Sequence, residues 1–127
     1  MKKRSKRKDF EIIFYEKLLQ DRPHFVQALS CLGDAYTRKG FYLEGLEIDK
    51  KLAQLKPEDP IVHYNLACSF ALLGEGETAL QKLKKAVLLG YDDYSYILTD
   101  PDLACVRESP KFKDFFRKVE SINVSTA

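Results

Sequence analysis

Residues 32–46 read LGDAYTRKGFYLEGL, and residues 66–80, 34 positions further on, read LACSFALLGEGETAL. Leu32 recurs as Leu66, Tyr36 as Phe70, Gly40 as Gly74 and Leu46 as Leu80, while the small residues Gly33 and Gly45 recur as Ala67 and Ala79. Shared apolar residues alone would coincide in many helical proteins, but glycines and small residues keeping the same register do not arise that way. A fixed period between about 20 and 50 residues is the mark of a repeat architecture. The register also runs outward from this core, linking Pro23 to Pro57, Leu55 to Leu89, Ile12 to Leu46 to Leu80, and Lys17 to Lys51 to Lys85.

Each unit reads as two helices. Over 24–40, Ala28, Leu29, Leu32, Ala35 and Tyr36 follow the three-and-four spacing of one helical face, and Gly40 supplies the left-handed stop. A second helix spans 42–56 on Leu43, Leu46, Leu52 and Leu55, and Pro57 ends it because its ring forbids continuation. Asp59 followed by Pro60 then starts the next helix with a capping carboxylate and a proline in the first turn. The second unit repeats the plan over 60–73 and 76–89, with Gly74 as the break. Gly33, Gly45, Ala67 and Ala79 remove side-chain bulk where paired helix backbones have to approach closely.

On these residues the chain resembles the tetratricopeptide-repeat family, whose 34-residue units carry a Leu-Gly pair, then Tyr, Gly, a small residue and a closing Pro. Leu32-Gly33, Tyr36, Gly40, Tyr42, Glu44, Gly45, Leu46 and Pro57 carry the match in the first unit. Leu66-Ala67, Phe70, Gly74, Ala79, Leu80 and Ala86 carry it in the second. The sequence departs from the pattern at Asp49, where the family prefers an aromatic, at Leu52, where it prefers Ala, and at Tyr91, where it prefers Pro.

The resemblance covers 24–91 and implies an all-α right-handed superhelix, a solenoid of helical hairpins with about six or seven helices. Its parts are expected to be a basic tail over 1–8 and a single domain over 9–127. Within that domain stand a leading helix at 9–22, repeats at 24–57 and 58–91, and a degenerate cap at 92–122. After Tyr91 the period fails, since Asp100 falls where a core Leu is expected. Asp100-Pro101 and Ser109-Pro110 still read as helix starts, and Phe112, Phe115, Phe116 and Val119 offer an apolar face to close the last repeat. Such a closing unit is similar to the one that ends many bacterial members of the family.

Composition fits this reading. Of 127 residues, 45% are hydrophobic and 31% charged, which excludes wholesale disorder, a collagen-like chain or a disulfide miniprotein. The formal charge is +2, but six bases (Lys2, Lys3, Arg4, Lys6, Arg7, Lys8) lie in the first eight residues. Residues 9–127 then carry 15 bases against 19 acids, a net of −4. Nucleic acid or an anionic surface is therefore expected to engage only the tail, which no aromatic interleaves before Phe10. No apolar run of about 18 residues spans a bilayer, and the charges at Asp9, Glu11, Glu16 and Lys17 argue against a secretory leader, so a cytoplasmic location is expected. Cys31, Cys68 and Cys105 are odd in number and widely spaced, and are expected to be reduced and mostly buried.

Little in the chain points to catalysis, and no cofactor and no metal is expected. Gly74-Glu75-Gly76 lacks the residues that would cradle phosphate. His24 and His63 are 39 positions apart, with no carboxylate or cysteine at ligand spacing beside either. Asp92-Asp93 and Asp100-x-Asp102 lack the glycine and terminal glutamate of a calcium loop and read better as helix caps.

Binding is the remaining class. The resemblance implies a concave face built by the first helix of each pair, carrying Gln27, Ser30, Asp34, Thr37 and Arg38 from the first unit. From the second come Ile61, Tyr64, Cys68, Ala71 and Leu72. Members that clamp the carboxylates of chaperone tails carry Asn where Asp34 and Cys68 stand here, so that ligand is disfavoured. Ile61, Tyr64, Cys68 and Leu72 form an apolar strip suited to a peptide, with Tyr64 as anchor. The segment from Asp92 to Leu98, or a second copy of the chain, is the alternative cover. The expected function is a non-catalytic protein-protein adaptor whose partner is another protein or peptide. The rivals are an RNA- or ribosome-associated protein working through the tail, and an accessory subunit of an enzyme complex.

Overall fold

In the computed structural model the described residues are 7–126, with side chains as far as residue 122. Lys2, Lys3, Arg4 and Lys6 of the basic tail lie outside them. The described residues form an all-α helical-hairpin repeat, in which α1 (Phe10–Asp21) leads into the hairpins α2 (Val26–Arg38) with α3 (Tyr42–Leu55) and α4 (Pro60–Leu72) with α5 (Gly76–Leu88). A cap follows, made of α6 (Tyr94–Thr99), a 3-10 turn (Pro101–Leu103), α7 (Ala104–Arg107) and α8 (Pro110–Thr126). Among the described residues eight α-helices stand where six or seven were expected, because the cap is broken into short pieces by its own capping signals.

Both hairpins are closed by one turn repeated at the sequence period. Gly40 and Gly74 adopt φ of 85° and 79°, and just beyond them Phe41 N–H donates to the Tyr36 carbonyl (2.8 Å) and Glu75 N–H to the Phe70 carbonyl (2.9 Å). These bonds satisfy carbonyls that a helix end otherwise leaves open. The helix starts are equally local. Asp9 accepts from Ile12 N–H at 3.2 Å, Asp59 from Ile61 N–H at 2.9 Å and Ser109 Oγ from Phe112 N–H at 3.1 Å.

The hairpins close tightly where the sequence is small. A Cβ on Gly33 would stand 3.1 Å from Ile48 Cγ2, and one on Gly45 would stand 2.8 Å from Thr37 Oγ1. Ala67 and Ala79 are fully buried at the matching positions of the second hairpin. Helix α3 packs on both α2 and α4, so the two hairpins stack, and α1 lies along α2 with Ile12 buried against Leu32, Ala35 and Tyr36. The Tyr36 hydroxyl donates to Glu16, and Lys39 bridges Asp9 and Glu11.

The largest apolar core sits at the other end. Leu80, Leu83 and Ala86 of α5 and Tyr64, Ala67, Cys68 and Ala71 of α4 meet Ile97, Leu103, Val106, Phe112 and Phe116 of the cap. Burial of these side chains, at about 25 cal/mol per Å² of apolar surface, is what holds the broken cap in place. The Arg107 guanidinium adds to it by donating to the carbonyls of Ile97 (2.9 Å) and Asp100 (2.6 Å), which end α6. Of the three free thiols only Cys68 is buried; Cys31 and Cys105 are exposed, against the expectation for them.

Candidate functional site

A concave groove of about 390 Å³ runs between α2, α4 and the cap. Ser30, Asp34 and Thr37 of α2 form one wall, and Ile61, Asn65 and Cys68 of α4 form the base. Asp49 and Leu52 of α3 reach it from beneath, while Tyr96, Asp100 and Asp102 of the cap form the far wall. This size falls within the range of about 300–1,000 Å³ typical of ligand sites.

Six of the ten residues read from the sequence meet here: Ser30, Asp34, Thr37, Ile61, Tyr64 and Cys68. Gln27 is exposed on α2 outside the groove lining. Arg38 is drawn to Asp34 (2.7 Å) and to Glu11 of α1 (3.0 Å) instead of pointing to a ligand. Ala71 is buried, its carbonyl accepting from the Cys105 thiol at 3.3 Å, and Leu72 is half-buried and outside the lining.

The apolar strip itself needs correcting. Tyr64, Cys68 and Ala71 are 5%, 7% and 5% exposed, so they are core and not an open anchor for a peptide. The cause is the cap folding back on α4. The Tyr64 ring stacks on Tyr91 with centroids 4.1 Å apart and planes 1° from parallel, and its hydroxyl donates to Asp100 at 2.6 Å. The Cys68 thiol points to the same carboxylate oxygen at 3.6 Å. Within that strip only Ile61, 54% exposed, still faces outward.

Residues not singled out as binding residues carry much of the groove's character. Asp49 is 7% exposed and accepts from Ser69 Oγ; burial pushes its carboxyl from 3.8 up to about 6, and the serine bond opposes that rise. Asp100, 3% exposed, accepts through Oδ1 from the N–H of Asp102 at 3.0 Å and through Oδ2 from Tyr64. Burial, then the neighbouring Asp100, raises Asp102 above the ordinary carboxylate range. Asp100, then burial, raises the Tyr96 hydroxyl. Both buried acids occupy positions where the 34-residue register calls for something apolar, and that mismatch was the available signal.

Cys68, Asp100 and Asp102 bring three ligand-type atoms within 4.8 Å of one another. Burial pushes the Cys68 thiol up, and the carboxylate of Asp100 adds to that. Asp100 also has both oxygens engaged by protein donors. The set fits a hydrogen-bonded structural cluster better than a metal centre. His63 Nε2 donates to the Pro57 carbonyl at 2.7 Å and ties α4 to the preceding turn, while its buried Nδ1 has no hydrogen-bond partner among the described residues.

Comparison with known proteins finds partial likenesses. No protein-family model matches the chain. A chloroplastic protein of Arabidopsis thaliana is 31% identical over 91 residues, which are 69% of this chain and 27% of that protein. Superkiller protein 3 of Schizosaccharomyces pombe is 32% identical over 74 residues, 58% of this chain and 5% of that protein. The chain therefore spans only about a quarter of the first relative and a twentieth of the second. Among the described residues no helix is long and apolar enough to cross a membrane.

Proposed function

We propose that the chain is a tetratricopeptide-repeat module that binds a partner protein in its concave groove and does no catalysis of its own. The groove between α2, α4 and the cap carries this reading, since it is a walled recess with exposed polar side chains at Ser30, Asp34 and Asn65 and exposed apolar ones at Ile61 and Tyr96. Two relatives that share stretches of only 91 and 74 residues within much longer chains fit a module that works by contact. The absence of catalysis is argued from chemistry. His63 is buried outside the groove lining, and Cys68 is held away from its thiolate by burial and by Asp100.

The test is capture from a nuclease-treated extract with the full chain, with Ser30→Trp, which fills the groove, and with Gln81→Trp on the far helix α5. A discrete protein retained by the wild type and by Gln81→Trp and lost by Ser30→Trp is the expected outcome. Equal recovery on all three would refute the groove as the binding surface. Hydrolysis of an ester, phosphate or peptide substrate that disappears in His63→Ala would refute the non-catalytic reading.

A further inference from the structure

Every ionisable side chain in the lining of the groove that carries charge near neutral pH is an acid. Asp34, Asp49, Asp59, Asp100 and Asp102 line it, and among the described residues no lysine, arginine or histidine does. Such a surplus is ordinary on a solvated face, but two of these carboxylates are largely withdrawn from water: Asp49 and Asp100 are 7% and 3% exposed. Taking a carboxylate out of water is costly unless a cation or a full set of donors replaces the water. Asp100 has its donors in Tyr64 and the Asp102 N–H.

Asp49 does not. One of its oxygens accepts from Ser69, while Oδ1 lies in the groove wall against the bare Cα of Gly33, 3.2 Å from where a Cβ would stand. Among the described residues that oxygen accepts no hydrogen bond. No ion pair among the described residues reaches Asp49, Asp59, Asp100 or Asp102 either, and Asp34 has only Arg38. That oxygen is open to the recess and not sealed in the core, and among acids on both walls it has no positive partner among the described residues.

We propose that the groove receives a positively charged peptide segment of a partner protein, with a lysine or arginine head set between the α2–α3 wall and the cap wall. The rim suits such a guest. Tyr96, 47% exposed, offers a ring face to a guanidinium, and Ile61, 54% exposed, offers apolar surface to the methylene stem of a basic side chain. Acids on opposite walls also favour a guest that carries charge along its length over a single small ion, because the attraction is spread along the recess. This inference rests on the groove being the partner-binding surface.

The experiment is fluorescence anisotropy on the full chain with three labelled probes of equal length: alternating arginine-alanine, lysine-alanine and glutamate-alanine peptides. The basic probes bind and are released by high salt, the glutamate probe does not bind, and Asp34→Asn with Asp102→Asn weakens the arginine probe about tenfold or more. Asp34→Asn alone, at an exposed position, gives a smaller loss in the same direction and guards against misfolding of the double variant. Binding of the glutamate probe as tight as that of the basic ones, or no loss in the neutralised variants, would overturn the charge assignment. So would calcium ions binding the full chain stoichiometrically while no peptide binds. If Ser30→Trp abolishes capture of a partner but the asparagine variants do not, the groove stands and the charge assignment falls. If the arginine probe binds equally to Ser30→Trp, the groove itself is wrong.

Discussion

Replacing Asp49 by asparagine isolates the electrostatic cost of the groove. The carboxyl lies 7% exposed beneath α2 and α4, and burial lifts it from 3.8 to about 6. Its partner is a neutral serine, whose hydrogen bond lowers it only in part, and no ion pair among the described residues reaches it. An acid held higher in the folded state than in the unfolded chain binds its proton more tightly when folded. The penalty is therefore absent below 3.8, grows as pH rises toward about 6, and is fully present above that. At 1.36 kcal/mol per pH unit the gap corresponds to about 3 kcal/mol at neutral pH. Asparagine keeps the shape and the acceptor for Ser69 but carries no charge, so Asp49→Asn should gain about 1–3 kcal/mol at neutral pH, the lower end applying if its amide nitrogen lacks an acceptor. Urea unfolding of both proteins across the acidic to neutral range measures this. The two should converge in acid and separate as pH rises, with the variant the more stable. A variant less stable than the wild type at neutral pH, or the same pH dependence in both, would refute the account of Asp49 as a desolvated charge.

Other outcomes follow from the same structure. Tyr64→Phe removes a donor from the buried Asp100 carboxylate and should cost about 1–3 kcal/mol in urea unfolding, with the helical circular dichroism of the native state unchanged. Leu83→Ala empties a site with no exposure in the core shared by α5 and the cap, and should cost about 2–5 kcal/mol by the same measurement. Gly74→Ala meets no atom within 4 Å, so its cost is purely that of a φ of 79°, about 1 kcal/mol, read as a lowered thermal midpoint.

The hairpins were legible because their signals are local and repeated. Gly40 and Gly74 each stop a helix by their own backbone freedom, and Asp59 caps α4 through a contact two residues away. The cap was only half legible. Ser109-Pro110 starts α8 and Phe112 with Phe116 seals the last repeat, as the apolar spacing implies. Where the cap lies was not written in any spacing, because its fold back over α4 is fixed by contacts between residues 27 or more positions apart, such as Tyr64 with Tyr91 and Asp100. That one contact converted Tyr64 from an expected anchor into core. The acidic character of the site was visible as misfits, Asp49 and Asp100 at apolar register positions, but a misfit does not say which cavity it faces. The exposure of Cys31 and Cys105 was hidden for a related reason: a cysteine carries no directional signal along its helix.

The joint between the hairpins has a further consequence for growth of the molecule. Each hairpin closes on the same glycine-centred turn and α3 ends just before Pro57, the register partner of Pro23, although α2 opens without a side-chain cap and α4 on the Asp59 carboxylate. A duplicate of residues 24–57 spliced in before residue 58 would leave the terminal cap as it is, but the face of its first helix that pairs with Glu11 and Glu16 of α1 and with its Asp9 cap would have to be recast to fit α3. The length of the recess is then a matter of copy number, adjustable by whole units, while its ends stay sealed.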